Sequence, residues 1–138
     1  VSHKVSSVGA PAMLRRLPDN ADLTAAMHAV PVPGGEIPLS RREITFGRDA
    51  RLAMVVIDLP GVSPLHARLY RVPDGDFFLA DSGSVAGTWV NFAPVSARGT
   101  RLEHGDLVHI GRAGFRFELS QPGQQPQLQV MPYEEERL

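Results

Sequence analysis

Three short stretches of this sequence bring together residue types able to do chemistry. The first, Phe46-Gly47-Arg48-Asp49, sets an arginine directly after a glycine at the end of an apolar-alternating run. A guanidinium there either grips an oxyanion through two parallel hydrogen bonds or pairs with Asp49 or a neighbouring strand. The second, Gly61-Val62-Ser63-Pro64-Leu65-His66-Ala67-Arg68, spaces a serine and a histidine three residues apart. A serine nucleophile needs its base in reach, an orienting carboxylate and an oxyanion hole, and no nucleophile-elbow sequence is present, so catalysis is rejected. The plainer reading has His66 bonding backbone and bracing its turn. The third, Asp81-Ser82-Gly83-Ser84-Val85-Ala86-Gly87-Thr88-Trp89-Val90-Asn91, is dense in small residues. A nucleotide-binding loop would continue into Lys and a helix, whereas Thr88-Trp89 opens a strand; a tight turn is expected, with Trp89 as a core anchor.

Composition removes other chemistries. Cysteine is absent, which excludes disulfides, thiolate zinc sites and thiol nucleophiles. His66, His104 and His109 lack metal-ligand spacing, and His104 and His109 read as surface residues, so no metal and no cofactor is expected. The chain is read as non-enzymatic. With 14 Lys+Arg against 15 Asp+Glu the net charge is -1, and no global field draws the chain to nucleic acid or an anionic membrane. Any anion site must be local. No apolar run approaches the ~20 residues that span a bilayer, and no membrane insertion is expected. The start, Val1-Ser2-His3-Lys4, has neither an initiator Met nor a signal-peptide core, which suggests a cytoplasmic domain of a larger protein.

The elements that must position these loops are strands. At 138 residues and 43% hydrophobic, the chain is the size of one domain with a real core. Short alternating runs recur between turn residues, the pattern of a sandwich or barrel. Phe115, Phe117 and Leu119 share one face of the clearest strand, with Arg116 and Glu118 on the other. Further strands are expected at Ile37–Leu39, Glu43–Phe46, Met54–Ile57, Ala67–Val72, Phe77–Ala80, Thr88–Asn91 and Leu107–Ile110, and also at Leu23–Val30, whose spacing fits a helix equally. Residues 1–21 read as a linker, with one helical turn around Met13-Leu14-Arg15-Arg16-Leu17. Residues 22–120 read as the domain, and 121–138, with Glu134-Glu135-Glu136, as a flexible tail.

Taken in order, these segments resemble the forkhead-associated (FHA) domain family. Its signature is Gly-Arg after a strand, Ser-x-x-His, Asp-x-x-Ser-x-Asn-Gly-Thr-x-x-Asn, Leu-x-x-Gly-Asp and a closing Gly before the last strand. This chain offers Gly47-Arg48, Ser63 to His66, Asp81 with Ser84, Gly87-Thr88 and Asn91, Leu102 with Gly105-Asp106, and Gly111. The resemblance covers Leu23 to Leu119. It implies an all-β sandwich of about eleven strands with Greek-key-like connections, binding phosphothreonine-containing protein segments through loops at one end. Arg48 would be the principal phosphate ligand and Ser63 the hydroxyl donor beside it, with Pro64, Val85 and Ala86 also facing the peptide. Gly47, His66, Ser84 and Gly87 would support the loops. The implied partner is a phosphorylated protein, the substrate of a Ser/Thr kinase.

Three positions depart from the family pattern. Ala86 stands where an Asn amide clamps the peptide backbone, and Val85 where a Thr or Ser often adds a hydroxyl. Pro64 removes a backbone N–H that could face phosphate. Losing three such donors costs about 3 to 5 kcal/mol of binding, roughly two to three decades in affinity. This motivates the alternative of a phosphate-independent interaction or self-association domain on the same fold.

Overall fold

The computed structural model describes residues 10–18 and 35–124. Among them run eleven strands: β1 (Ala12–Arg16), β2 (Glu36–Pro38), β3 (Glu43–Gly47), β4 (Val55–Val56), β5 (Ala67–Arg71), β6 (Phe77–Asp81), β7 (Thr88–Val90), β8 (Ala93–Pro94), β9 (Thr100–Arg101), β10 (Leu107–Ile110) and β11 (Ala113–Leu119). They form two sheets, ordered β2-β1-β11-β10-β7-β8 and β4-β3-β5-β6-β9. The short β3–β4 pairing is parallel; β3 and β5, β5 and β6, and β10 and β11 pair antiparallel. The chain is an all-β sandwich.

Alternation builds the core. Ile44 and Phe46 of β3, Leu69 of β5, and Phe77 and Leu79 of β6 are buried in one cluster with Leu14, Val108, Ile110, Phe115 and Phe117 of the other sheet. Phe77 meets Phe117 edge-on, with ring centres 5.5 Å apart, which joins the two sheets through one contact. Because β3 and β6 end, and β5 and β7 begin, at the same end of the sandwich, the β3–β4, β4–β5 and β6–β7 loops converge there. The β10–β11 turn joins them, since Ile110 pairs with Thr88. The β2–β3 and β5–β6 connections lie at the opposite end.

Several sequence expectations need correction. Ala12–Arg16 is neither linker nor helical turn: β1 lies inside the six-stranded sheet, between β2 and β11, with Ala12 and Leu14 buried. Its partner lies about a hundred residues away, so a five-residue segment carried no local sign of the pairing. The short strands β8 and β9 were likewise not expected. Trp89 is no core anchor, because alternation turns Thr88 and Val90 inward and leaves the indole on the outer side, against Gly87. His109 is not a simple surface residue. It covers Gly114, meets the Phe92 ring at 5.1 Å, and its Nδ1 is buried with no partner among the described residues. Burial, and then the charge of Arg16, push its pKa below the ordinary histidine value. The segment Leu23–Val30 and the tail from residue 125 onward lie outside the described residues. Among those described, no helix is long and apolar enough to cross a membrane.

Candidate functional site

Gly47 ends β3, and the β4–β5 loop crosses directly over it. A β-carbon at this position would collide with the carbonyl of Pro64, so only glycine lets the two backbones approach this closely. The crossing is sewn by backbone bonds: Arg48 N–H to Ser63 C=O at 2.9 Å, Asp49 N–H to Pro64 C=O at 3.2 Å, and His66 N–H to Phe46 C=O at 2.8 Å. Arg48 and Ser63 are therefore neighbours by main-chain necessity.

The Arg48 side chain is 48% exposed, and its Nε donates to Asp58 Oδ1 at 3.1 Å; Asp58 is 81% exposed. No other side-chain partner of Arg48 occurs among the described residues, so its two Nη groups remain as a donor fork. Asp49 is engaged elsewhere. Its carboxylate takes Arg51 Nη2 at 2.9 Å and Nε at 3.2 Å, and these bonds hold its pKa below the usual aspartate value.

Ser63 is bonded on three sides. Its N–H donates to His66 Nδ1 at 3.0 Å, its carbonyl accepts from Arg48, and its Oγ accepts from Val85 N–H at 3.1 Å. No acceptor among the described residues takes the hydroxyl proton, which is left to donate to an anion. The bond from Ser63 also sets the tautomer of His66. A backbone N–H can only donate, so Nδ1 accepts and Nε2–H donates to Gly87 C=O at 2.8 Å. The fully buried imidazole thus ties the β4–β5 loop to the β6–β7 loop.

Asp81 organises that second loop. One carboxylate oxygen accepts from the Ser84 and Thr88 hydroxyls, both at 2.6 Å, and the other from the Gly83 and Ser84 amides, both at 3.0 Å. Ser84 Oγ accepts in turn from Gly87 N–H at 3.0 Å. Burial pushes the Asp81 pKa up, but the four donors together outweigh it and hold it below the ordinary value. Gly87 adopts φ 93°, open to glycine at little cost, and its carbonyl also accepts from Gly111 N–H at 3.0 Å. At the tip of this fixed turn Ala86 is exposed and Val85 is 94% exposed.

The fold thus brings Arg48, Ser63, Pro64, Val85 and Ala86 to one end, with Gly47, His66, Ser84 and Gly87 beneath them. Sequence reasoning quoted Asp81 and Thr88 only as parts of a motif and missed Asp58 altogether. Ser84 and Thr88, three and seven residues past Asp81, were the available signal for the hub; Asp58 offered none. Among the described residues no group of three or more His, Cys, Asp or Glu is placed to hold a metal ion.

The joined loops of the sandwich present a guanidinium and a hydroxyl side by side at one end. The FHA domain family model matches residues 44–111, and the chain carries an FHA domain. Similar solved structures agree on the fold. The FHA domain of CT664 from Chlamydia trachomatis is 21% identical, covering 78% of this chain and 95% of its own, with a TM-score of 0.62. The MEK1 FHA domain in complex with a HOP1 phosphothreonine peptide is 21% identical, covering 80% and 98%, at 0.61. The FhaA FHA domain complexed with the intracellular domain of Rv3910 is 24% identical, covering 78% and 99%, at 0.59. No curated protein matches the chain.

Proposed function

We propose that this domain recognises phosphothreonine-containing segments of partner proteins modified by a Ser/Thr kinase, holding phosphate between the Arg48 guanidinium and the Ser63 hydroxyl. The observation that carries this reading is the backbone bond from Arg48 to Ser63, which sets two unsatisfied donor groups side by side on a braced rim. The similar structures include the MEK1 FHA domain in complex with a phosphothreonine peptide, which supports the same ligand class here. Asp58 does not block the site. An exposed ion pair is worth about 0 to 1 kcal/mol, whereas each hydrogen bond to a phosphate carrying about -1.5 to -2 charge is worth about 1.5 to 3. The phosphate wins the guanidinium.

The test is an oriented phosphothreonine peptide library titrated beside its unphosphorylated twins. Arg48→Ala should abolish phosphopeptide binding. Arg68→Ala should do little, since Arg68 is committed to Glu43 at 3.2 Å and lies over the Tyr70 ring at 4.4 Å. Equal losses at both positions would show that charge alone drives binding.

Val85 favours a second reading. A branched apolar side chain that is 94% exposed beside Ala86 and Pro64 makes an apolar tip where hydroxyl and amide clamps would suit a phosphopeptide. Recognition without phosphate, or self-association, follows if paired peptides bind alike or if the sedimentation coefficient rises with concentration.

A further inference from the structure

We propose a second anion site at the end of the sandwich opposite Arg48: a cleft that takes a carboxylate-rich polypeptide segment, its occupant being the Glu134-Glu135-Glu136 run of this chain. The cleft, of about 360 Å³, lies between the β2–β3 loop and the β5–β6 turn and is lined by Arg41, Arg42 and Arg71. Arg71 N–H donates to the Arg42 carbonyl at 2.9 Å, so the two loops are held at a fixed separation. The Arg71 guanidinium is itself anchored. Its Nε donates to Gly75 C=O at 3.3 Å and its central carbon lies 5.2 Å from the centre of the Phe77 ring.

Three arginines that hold no carboxylate among the described residues, Arg41, Arg42 and Arg71, line this one cleft. Arg15, Arg48, Arg51, Arg68 and Arg101 each hold a carboxylate within 3.2 Å. Arg41 and Arg42 are exposed, and neither side chain has a partner among the described residues. Asp74 also lines the cleft and offsets one of its three positive charges, which leaves a net positive surface. Three guanidiniums around a concave polar surface repel one another until an anion joins them, and forked donors suit carboxylates.

The occupant follows from where the chain leaves the sandwich. Leu39 N–H and Ser120 N–H donate to successive carbonyls at the start of β1, Ala12 at 2.9 Å and Pro11 at 3.0 Å. The β2–β3 loop and the end of β11 therefore depart side by side. From Gln124 to Glu134 the sequence supplies about ten residues, or about 33 Å when extended. A ~100-residue domain has a radius of gyration of about 13 Å and is about 34 Å across, so this length, fully extended, spans one end.

The experiment uses the intact chain, needs no phosphopeptide and so stands apart from the reading of Arg48. In amide ¹H–¹⁵N spectra, E134Q/E135Q/E136Q should shift Arg42 and Gly75 while leaving Ser63 and Val85 in place. R41Q/R42Q should reproduce the Gly75 shift, and adding ~0.5 M salt to the wild type should mimic it by screening. An excess of a peptide spanning residues 130–138 should return the triple variant's amides toward their wild-type positions. Spectra of wild type and triple variant that coincide at Arg42 and Gly75 overturn the proposal. So does a Gly75 shift that R41Q/R42Q does not reproduce, with unchanged thermal melting confirming that each variant is folded.

Discussion

The amide of Val85 donates to the hydroxyl of Ser63 across 3.1 Å, joining two loops that lie 22 residues apart in sequence. The bond has a direction that matters. It occupies a lone pair of Oγ and leaves its proton free, so one side chain braces the binding end and still offers a donor to a ligand. Binding and loop architecture are coupled through that atom, and substitutions beneath it should be felt in both.

Gly47 is the sharpest case. Gly47→Ala drives a methyl group into the Pro64 carbonyl and must displace the Ser63–Pro64 backbone from Arg48. The cost is expected to be about 1 to 3 kcal/mol, the range for overpacking a close contact. Chemical denaturation should show this loss, and phosphothreonine peptide affinity should fall with it. A variant as stable and as tight-binding as the parent would show that the loop yields freely and that the close approach is incidental.

Asp81 predicts a pH dependence. Its folded pKa is depressed, so its contribution is fully present above the ordinary aspartate pKa and is lost as pH falls through the lower, folded value. Asp81→Asn retains the shape but not the charge; it should cost about 1 to 3 kcal/mol near neutral pH and flatten the acid limb of the stability profile. Melting curves between pH 7 and pH 2 on both proteins are the measurement. Parallel acid limbs in the two would remove Asp81 as the titrating group.

Ala86 separates the two functional readings. It is exposed beside Gly87, and its φ is not positive, so an asparagine fits there without backbone strain. Ala86→Asn adds an amide able both to donate to and to accept from an extended peptide. It should tighten phosphothreonine peptides by about 1 kcal/mol or more and leave unphosphorylated peptides unchanged. Pro64 lies in the same rim, so Pro64→Asn completes a double-mutant cycle. Phosphorylated and unphosphorylated peptides that stay indistinguishable in the folded double variant would hand the lead to the phosphate-independent reading.

Much of this architecture was legible locally. Period-two alternation in Phe115-Arg116-Phe117 and in Glu43-Ile44-Thr45-Phe46 states which side chains face a core, whatever that core contains. The motif order that resembles the FHA family likewise pointed to Arg48 and Ser63. Other features had no local signature. β1 became a strand through β11, about a hundred residues away, and Trp89 turned outward because its neighbours claimed the core. Asp58 reached Arg48 only when a ten-residue excursion closed, and Arg41 and Arg42 met Arg71 only when β3 and β5 paired. Side-chain period is a property of a few consecutive residues and can be read from them. Loop convergence, charge left unpaired and the donor left free on Ser63 depend on distances between segments, and those exist only in the folded chain.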